Sequence, residues 1–265
     1  MVATIQLLSG LVGSLGFLSL ASAEPQPPNQ VRIMALGDSI TGNPGCWRAL
    51  LSRKLNATNI TPPIPYSQIR FVGTQARTYC GYGSAYDWPH EGHGRLLATD
   101  LAQETVPISG ELGIVPSRQP LLRSWLTAPG VAPVDLILMH LGTNDISNNR
   151  TTIQIITAYG QLLDQMRAVN PNICLLVAQI LPMEPSNCPE CAAKVRMLNR
   201  YIPIWAQYVT RPESPVVVVD QYQGFNATRY TMDGVYPNAR GDEAIAMRWV
   251  EPVVRAVREI LASRV

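Results

Sequence analysis

Ser39 lies in Gly37-Asp38-Ser39-Ile40-Thr41, directly after the apolar run Val31-Arg32-Ile33-Met34-Ala35-Leu36. A serine that follows a strand and precedes a glycine-containing turn can present its hydroxyl at the rim of a sheet, which makes Ser39 the natural nucleophile of this chain. Alone, Gly-Asp-Ser is ordinary turn chemistry. Asn144, in Gly142-Thr143-Asn144-Asp145, ends a second apolar run and could simply cap the strand in an Asx turn. Near the C-terminus, Asp233-Gly234-Val235-Tyr236-Pro237-Asn238 precedes a long helical pattern. The chain has three histidines, and none is an obvious base for a serine. His90 and His93, with Glu91 between them, invite a metal reading. Two glycines in His90-Glu91-Gly92-His93-Gly94-Arg95 prevent both imidazoles from sharing one helical face, so no metal is expected. His93 is expected to hydrogen-bond and shape the cleft, and His140 to be a satisfied core histidine.

In this order the three segments resemble the SGNH (GDSL) hydrolase family of serine esterases, over roughly residues 31 to 250. The resemblance implies Ser39 as nucleophile and Asp233 as orienting carboxylate. It implies an oxyanion hole made of the Ser39 amide, the Gly94 amide and the Asn144 side chain. The family's second block corresponds to His90-Glu91-Gly92-His93-Gly94-Arg95; relatives usually show a small residue and then glycine after its histidine, so Arg95 is the alternative donor to Gly94. Asp38, His93 and Arg95 are expected in the substrate cleft. The family's last motif reads Asp-x-x-His, and Tyr236 holds the histidine position here. A tyrosine is a neutral phenol at pH 7, with roughly one part in a thousand ionised, and is a poor base. Asp233 would then accept the phenol's hydrogen bond.

Gly37-Asp38-Ser39-Ile40-Thr41-Gly42, Cys46-Trp47-Arg48 and Glu91-Gly92-His93-Gly94 look most like fungal members of carbohydrate esterase family 3. That likeness implies O-acetyl groups on xylan or similar polysaccharides as substrates, with no metal or organic cofactor. Two further readings stay open: a lysophospholipase or other lipid esterase, and a non-catalytic glycan-binding protein that kept the cleft and lost turnover.

The 265 residues, 46% hydrophobic and 15% charged, suit one α/β domain with a sizeable core. With a net charge of +2 and no Lys/Arg run, neither nucleic acid nor an anionic membrane surface is indicated as a partner; a monomer is expected. The uncharged stretch Ile5 to Leu20, followed by Ala21-Ser22-Ala23, reads as a secretory signal peptide over 1–23, with a disordered mature N-terminus over 24–30 and the domain over 31–265. No membrane span is expected in the mature chain. Secretion makes Asn56, Asn149 and Asn226 candidate glycosylation sites, with Asn59 weakened by Pro62. Of five cysteines, Cys174 lies in a buried-strand pattern and is assigned as the free thiol. The others are assigned as Cys46 with Cys80 and Cys188 with Cys191.

Five apolar runs, at 31–36, 69–73, 134–141, 173–181 and 215–219, read as strands, and the continuous runs 134–141 and 215–219 as central ones buried on both faces. Helical spacing recurs at 46–55, 119–127, 152–169, 192–209 and 240–262. The alternation predicts a flavodoxin-like three-layer α/β/α domain with a five-stranded parallel sheet. Such sheets bind ligands beyond the carboxyl ends of their strands, where all three motifs fall. Residues 74–116 form one long irregular excursion expected to wall the site.

Overall fold

The computed structural model describes residues 29–56, 64–75, 80–82, 88–103 and 121–264. The expected signal peptide, most of the segment 24–30, Asn59 and much of the 74–116 excursion lie outside the described residues.

Two runs of residues apolar on both faces become the sheet centre. β1 (Val31–Gly37) and β4 (Leu136–His140) are buried along their whole length, as strands covered on both sides must be. β2 (Ile69–Val72), β5 (Cys174–Gln179) and β6 (Val216–Asp220) complete a parallel sheet in the order β2-β1-β4-β5-β6. The register pairs Ile33 with both Phe71 and Leu136, and Gly37 with His140. A two-residue strand, β3 (Glu91–Gly92), pairs with β1 beyond the reach of β2, at Leu36 and Gly37. It was not anticipated, because two residues carry no periodic signal.

Alternation along β1 sends its side chains to opposite layers. Ile33 and Ala35 pack in one cluster with α2 (Trp47–Leu55) and α9 (Ala239–Ala262), where Trp47 stacks on Trp249 at 6.0 Å. Met34 and Leu36 pack in the other, with α3 (Ala98–Leu101), α4 (Leu121–Leu126), α6 (Thr152–Val169) and α7 (Cys191–Val209). Each large apolar side chain taken fully from water in these layers contributes about 1.5–3 kcal/mol. Capping sets the helix starts: Thr151 and Gln154 form a reciprocal capping box on α6, and Asn238 accepts the amides of Arg240 and Gly241 at the start of α9. Four single-turn helices among the described residues, α1 (Ser39–Gly42), α3, α5 (Thr143–Ser147) and α8 (Ala227–Tyr230), are too short for sequence periodicity to reveal. No helix among the described residues is long and apolar enough to cross a membrane.

The disulfides are Cys46–Cys80 and Cys188–Cys191. Cys174 is free and buried, and its thiol is pushed up to about 12 by desolvation.

Candidate active site

β1 and β4 are sheet neighbours whose outgoing connections part to different sides, so a crevice opens beyond their carboxyl ends. Ser39 enters it through a one-residue connection. Asp38 follows β1 and caps α1, its Oδ1 accepting the Ile40 amide at 2.9 Å while its carbonyl accepts the amides of Thr41 and Gly42. Helical turn thus begins immediately, and Ser39 emerges half-buried at its start. The Gly42 and Gly92 backbones approach so closely that a Cβ on Gly42 would meet the Gly92 carbonyl oxygen at 2.5 Å. Neither position tolerates a side chain, and the second block is thereby held against α1.

That block turns at His93–Leu96, where the Leu96 amide donates to the His93 carbonyl at 3.3 Å. Arg95 takes the third position of the turn with φ 61°, the left-handed backbone that favours glycine. The Asn144 side chain donates to the Leu96 carbonyl at 3.1 Å, fixing the turn to α5. Asp145 strengthens the junction by accepting the amides of Ala98 and Thr99 and the Thr99 hydroxyl at 2.8–3.0 Å. Burial nevertheless raises its pKa, because desolvation outweighs those bonds.

The third segment is a tight loop between α8 and α9. Asp233 Oδ1 accepts the amides of Val235 and Tyr236 at 3.0 and 2.8 Å, and the Met232 amide closes the loop on the Tyr236 carbonyl. Gly234, at φ 85°, presents its carbonyl to the Glu184 amide. The Tyr236 phenol crosses to Ser39, Oη to Oγ 3.2 Å. The expected Asp233–phenol bond is therefore corrected: Asp233 caps its own loop and the phenol's recorded partner is the serine.

Ser39, Asn144, Asp233 and Tyr236 line one cavity of about 400 Å³, with Asn149, Pro185, Asn187, Cys188 and Glu190 on its far wall. The Cys188–Cys191 bridge clips that wall. Lys194 joins two of its residues, bonding Asn149 Oδ1 at 2.5 Å and Glu190 Oε1 at 3.1 Å. The Glu190 carboxyl is held below its usual range, first by its own backbone amide and then by Lys194. Sequence reasoning singled out Asn149 only as a glycosylation acceptor and did not find Asn187, Glu190 or Lys194, since nothing local marks a residue that reaches the site through a loop.

The predicted cleft residues need revision. Asp38 is completely buried and lies beneath the cavity; desolvation pushes its carboxyl up to about 7. The Thr143 hydroxyl lies close enough to lower that value, yet neither it nor Asp38 Oδ2 attains hydrogen-bond geometry. His93 is buried too, stacked on Trp125 at 4.3 Å with Nε2 on Glu91 Oε1 at 2.5 Å. Glu91 in turn accepts both the amide and hydroxyl of Thr74. His93 is thus a packing residue of the second block and lines no part of this cavity. Gly94 and the exposed Arg95 sit in the adjoining turn, also outside the lining. His140 is buried, but neither ring nitrogen has a partner among the described residues, and desolvation lowers its pKa to about 4. It is a core histidine, though not a satisfied one. No cluster suited to a metal occurs among the described residues.

The profile of the GDSL-like lipase/acylhydrolase family matches residues 35–244. A carbohydrate esterase family 3 protein from Talaromyces cellulolyticus superposes with a TM-score of 0.70 at 28% identity, covering 87% of this chain and 99% of that one. An acetyl esterase solved with an acetate ion gives the same TM-score and identity over 87% of this chain and 100% of its own. A multidomain esterase from Ruminococcus flavefaciens is 25% identical over 257 residues, 92% of this chain; the match spans only about a third (32%) of that protein.

Proposed function

The chain belongs to the GDSL-like lipase/acylhydrolase family, and on that premise we propose that it is a secreted serine ester hydrolase acting on acyl groups, acetyl foremost, carried by a carbohydrate. One observation carries this reading: Ser39, Asn144, Asp233 and Tyr236, from three distant segments, surround a single cavity, with Tyr236 Oη 3.2 Å from Ser39 Oγ.

In the proposed reaction Ser39 Oγ attacks the acyl carbon and the carbonyl oxygen gathers negative charge. The Asn144 amide would donate to that oxygen with the hydrogen it does not spend on Leu96. The Ser39 amide, at the start of α1, and a backbone amide of the 93–96 turn would be the other donors. The left-handed Arg95 supports its amide over that of Gly94, since relatives' glycine belongs where such a backbone is required. The alcohol leaves, and water then releases the acyl group from Ser39.

Tyr236 alters the proton transfers. An imidazole at that position would take the Ser39 proton and return it to the leaving oxygen. The phenol occupies that space, and no imidazole lines the cavity among the described residues, so turnover is expected to be slow. The same contact favours a second reading, in which the cavity binds acylated glycans without turning them over. A polar wall of Asn149, Asn187 and Glu190 suits sugar hydroxyls better than a lipid tail, which supports a carbohydrate over a lysophospholipid.

The test is hydrolysis of 4-nitrophenyl acetate and acetylated xylan by the wild-type protein and Ser39→Ala. Release of acetate abolished by Ser39→Ala is expected. Binding of acetylated xylan with no Ser39-dependent release would favour the glycan-binding alternative instead.

A further inference from the structure

α7 begins at the cavity wall and carries a face that its packing does not use. Val195, Leu198, Ile202, Trp205 and Ala206 bury the inner face. Outside, Met197, Tyr201, Ile204 and Tyr208 are 45, 44, 50 and 84% exposed. With Glu190 and Lys194 they follow spacings of four and three residues, so all six fall on one narrow stripe. Glu190 lines the cavity, and Lys194 ties it to Asn149 on the same rim. The stripe therefore starts at the cavity mouth and runs outward for about 20 Å from Lys194 to Tyr208, at 1.5 Å per residue. An outward helix face is ordinarily charged or polar, and four consecutive apolar positions on it call for an occupant.

We propose that this stripe is a docking track for the polysaccharide whose acyl groups enter the cavity. The inference rests on the carbohydrate reading of that cavity and extends it to the polymer backbone. Sugar rings present flat C–H faces that stack on tyrosine rings and hydroxyls that need polar neighbours. Tyr201 and Tyr208 are about 10.5 Å apart along the axis, close to the repeat of two sugars in an extended chain. Each follows an exposed polar residue, Arg200 and Gln207, so the polar and aromatic pair recurs two turns apart. The track is one side chain wide and meets the catalytic cavity end-on, a shape that fits a linear chain. A bilayer would instead require a broad apolar face with cations on its borders.

Affinity electrophoresis in gels containing soluble xylan, acetylated and deacetylated, reads the track without requiring turnover. Tyr201→Ala combined with Tyr208→Ala should weaken retardation about tenfold in both gels, the loss of two ring contacts. Tyr201→Phe with Tyr208→Phe should keep most of it, because stacking needs the ring. In the Tyr236→His background, the ratio of kcat/KM on acetylated xylan to that on 4-nitrophenyl acetate should fall about tenfold with the double alanine change. Unaltered retardation would overturn the track and leave the esterase reading standing. Absence of acetyl ester hydrolysis even with Tyr236→His would remove that reading, while retardation still decides the track. A monomer–dimer equilibrium, or binding to phosphatidylcholine vesicles, abolished by the alanine changes with retardation unaffected would assign the stripe to another occupant and overturn the proposal.

Discussion

The Tyr236 phenol oxygen lies 3.2 Å from the Ser39 hydroxyl oxygen, while Asp233, three residues before the tyrosine, bonds to its own loop. The loop thus places the Tyr236 ring against Ser39, at the position where the proposed reaction calls for a base. Replacing Tyr236 by His should raise turnover of 4-nitrophenyl acetate by about 100- to 10,000-fold, the usual contribution of a positioned acid or base. The gain should vanish when Ser39→Ala is added. Efficient hydrolysis by the natural protein, with Tyr236→His neutral or harmful, would show that another base operates.

Asn144 offers a test of the oxyanion site separate from the base. In the Tyr236→His background, Asn144→Ala should lower kcat by about 10²–10³, with KM changed far less, because the donor is needed most when the oxygen is charged. A change confined to KM would make Asn144 a ground-state contact or merely the strut that holds Leu96.

Arg95 reports on backbone conformation. Holding a non-glycine residue at φ 61° costs about 1–2 kcal/mol, against about 0.5–1 kcal/mol of chain entropy for glycine. Arg95→Gly should leave urea stability unchanged or raise it by up to about 1 kcal/mol. Arg95→Val, β-branched and ill-suited to that region, should lower it by about 2 kcal/mol. Equal stabilities for the two variants would contradict the turn geometry.

Buried Asp38 should give a pH signature. Its carboxyl titrates near 7 in the folded protein against 3.8 ordinarily, so folding takes up a proton between those values. Its contribution is fully present below about pH 3.8 and is lost as pH rises to about 7, by about 4 kcal/mol at most. His140, lowered from 6.5 to about 4, acts oppositely: its contribution is present above pH 6.5 and lost as pH falls through 4. Both His140 and Asp242, raised to about 6, remain in Asp38→Asn and cancel in the comparison. The stability of wild type relative to Asp38→Asn should therefore decline from pH 4 to 7. A pH-independent difference would place the Asp38 carboxyl in its ordinary range.

The two disulfides should differ in worth. Cys46–Cys80 spans a sequence separation of 34 and Cys188–Cys191 one of 3. Chain-entropy reasoning assigns about 4 kcal/mol to the first and about 2 kcal/mol to the second. Chemical denaturation of the paired Cys→Ser variants checks the order. Loss of the shorter bridge should also impair turnover in the Tyr236→His background more than its stability cost suggests, because Cys188 lines the cavity.

Much of this molecule was legible along the chain. The continuous apolar runs 134–141 and 215–219 read as central strands covered on both faces. Leu136–His140 is one, buried throughout. Val216–Asp220 is instead the edge strand β6, partly exposed, because an unbroken apolar run does not reveal which strand lacks an outer neighbour. The 3.6-residue repeat over 152–169 located a helix whose ends the capping box at Thr151 and the Asn170 boundary confirm. Ser39, Asn144, Asp233 and Tyr236 were picked out by the resemblance of their short motifs to the SGNH (GDSL) family, since each motif is contiguous in the chain. Tertiary structure alone decided the rest. Asp38 and His93 carry the side chains of a polar cleft, yet close backbone packing of Gly42 on Gly92 and the ring of Trp125 bury the block around them. Glu190 and Lys194 become cavity rim only where the start of α7 meets the loop that carries Asn149. Local pattern determines which element forms and which face is apolar; which polar residues meet, and which lose water, depends on contacts between segments far apart in sequence, and no short-range pattern encodes them.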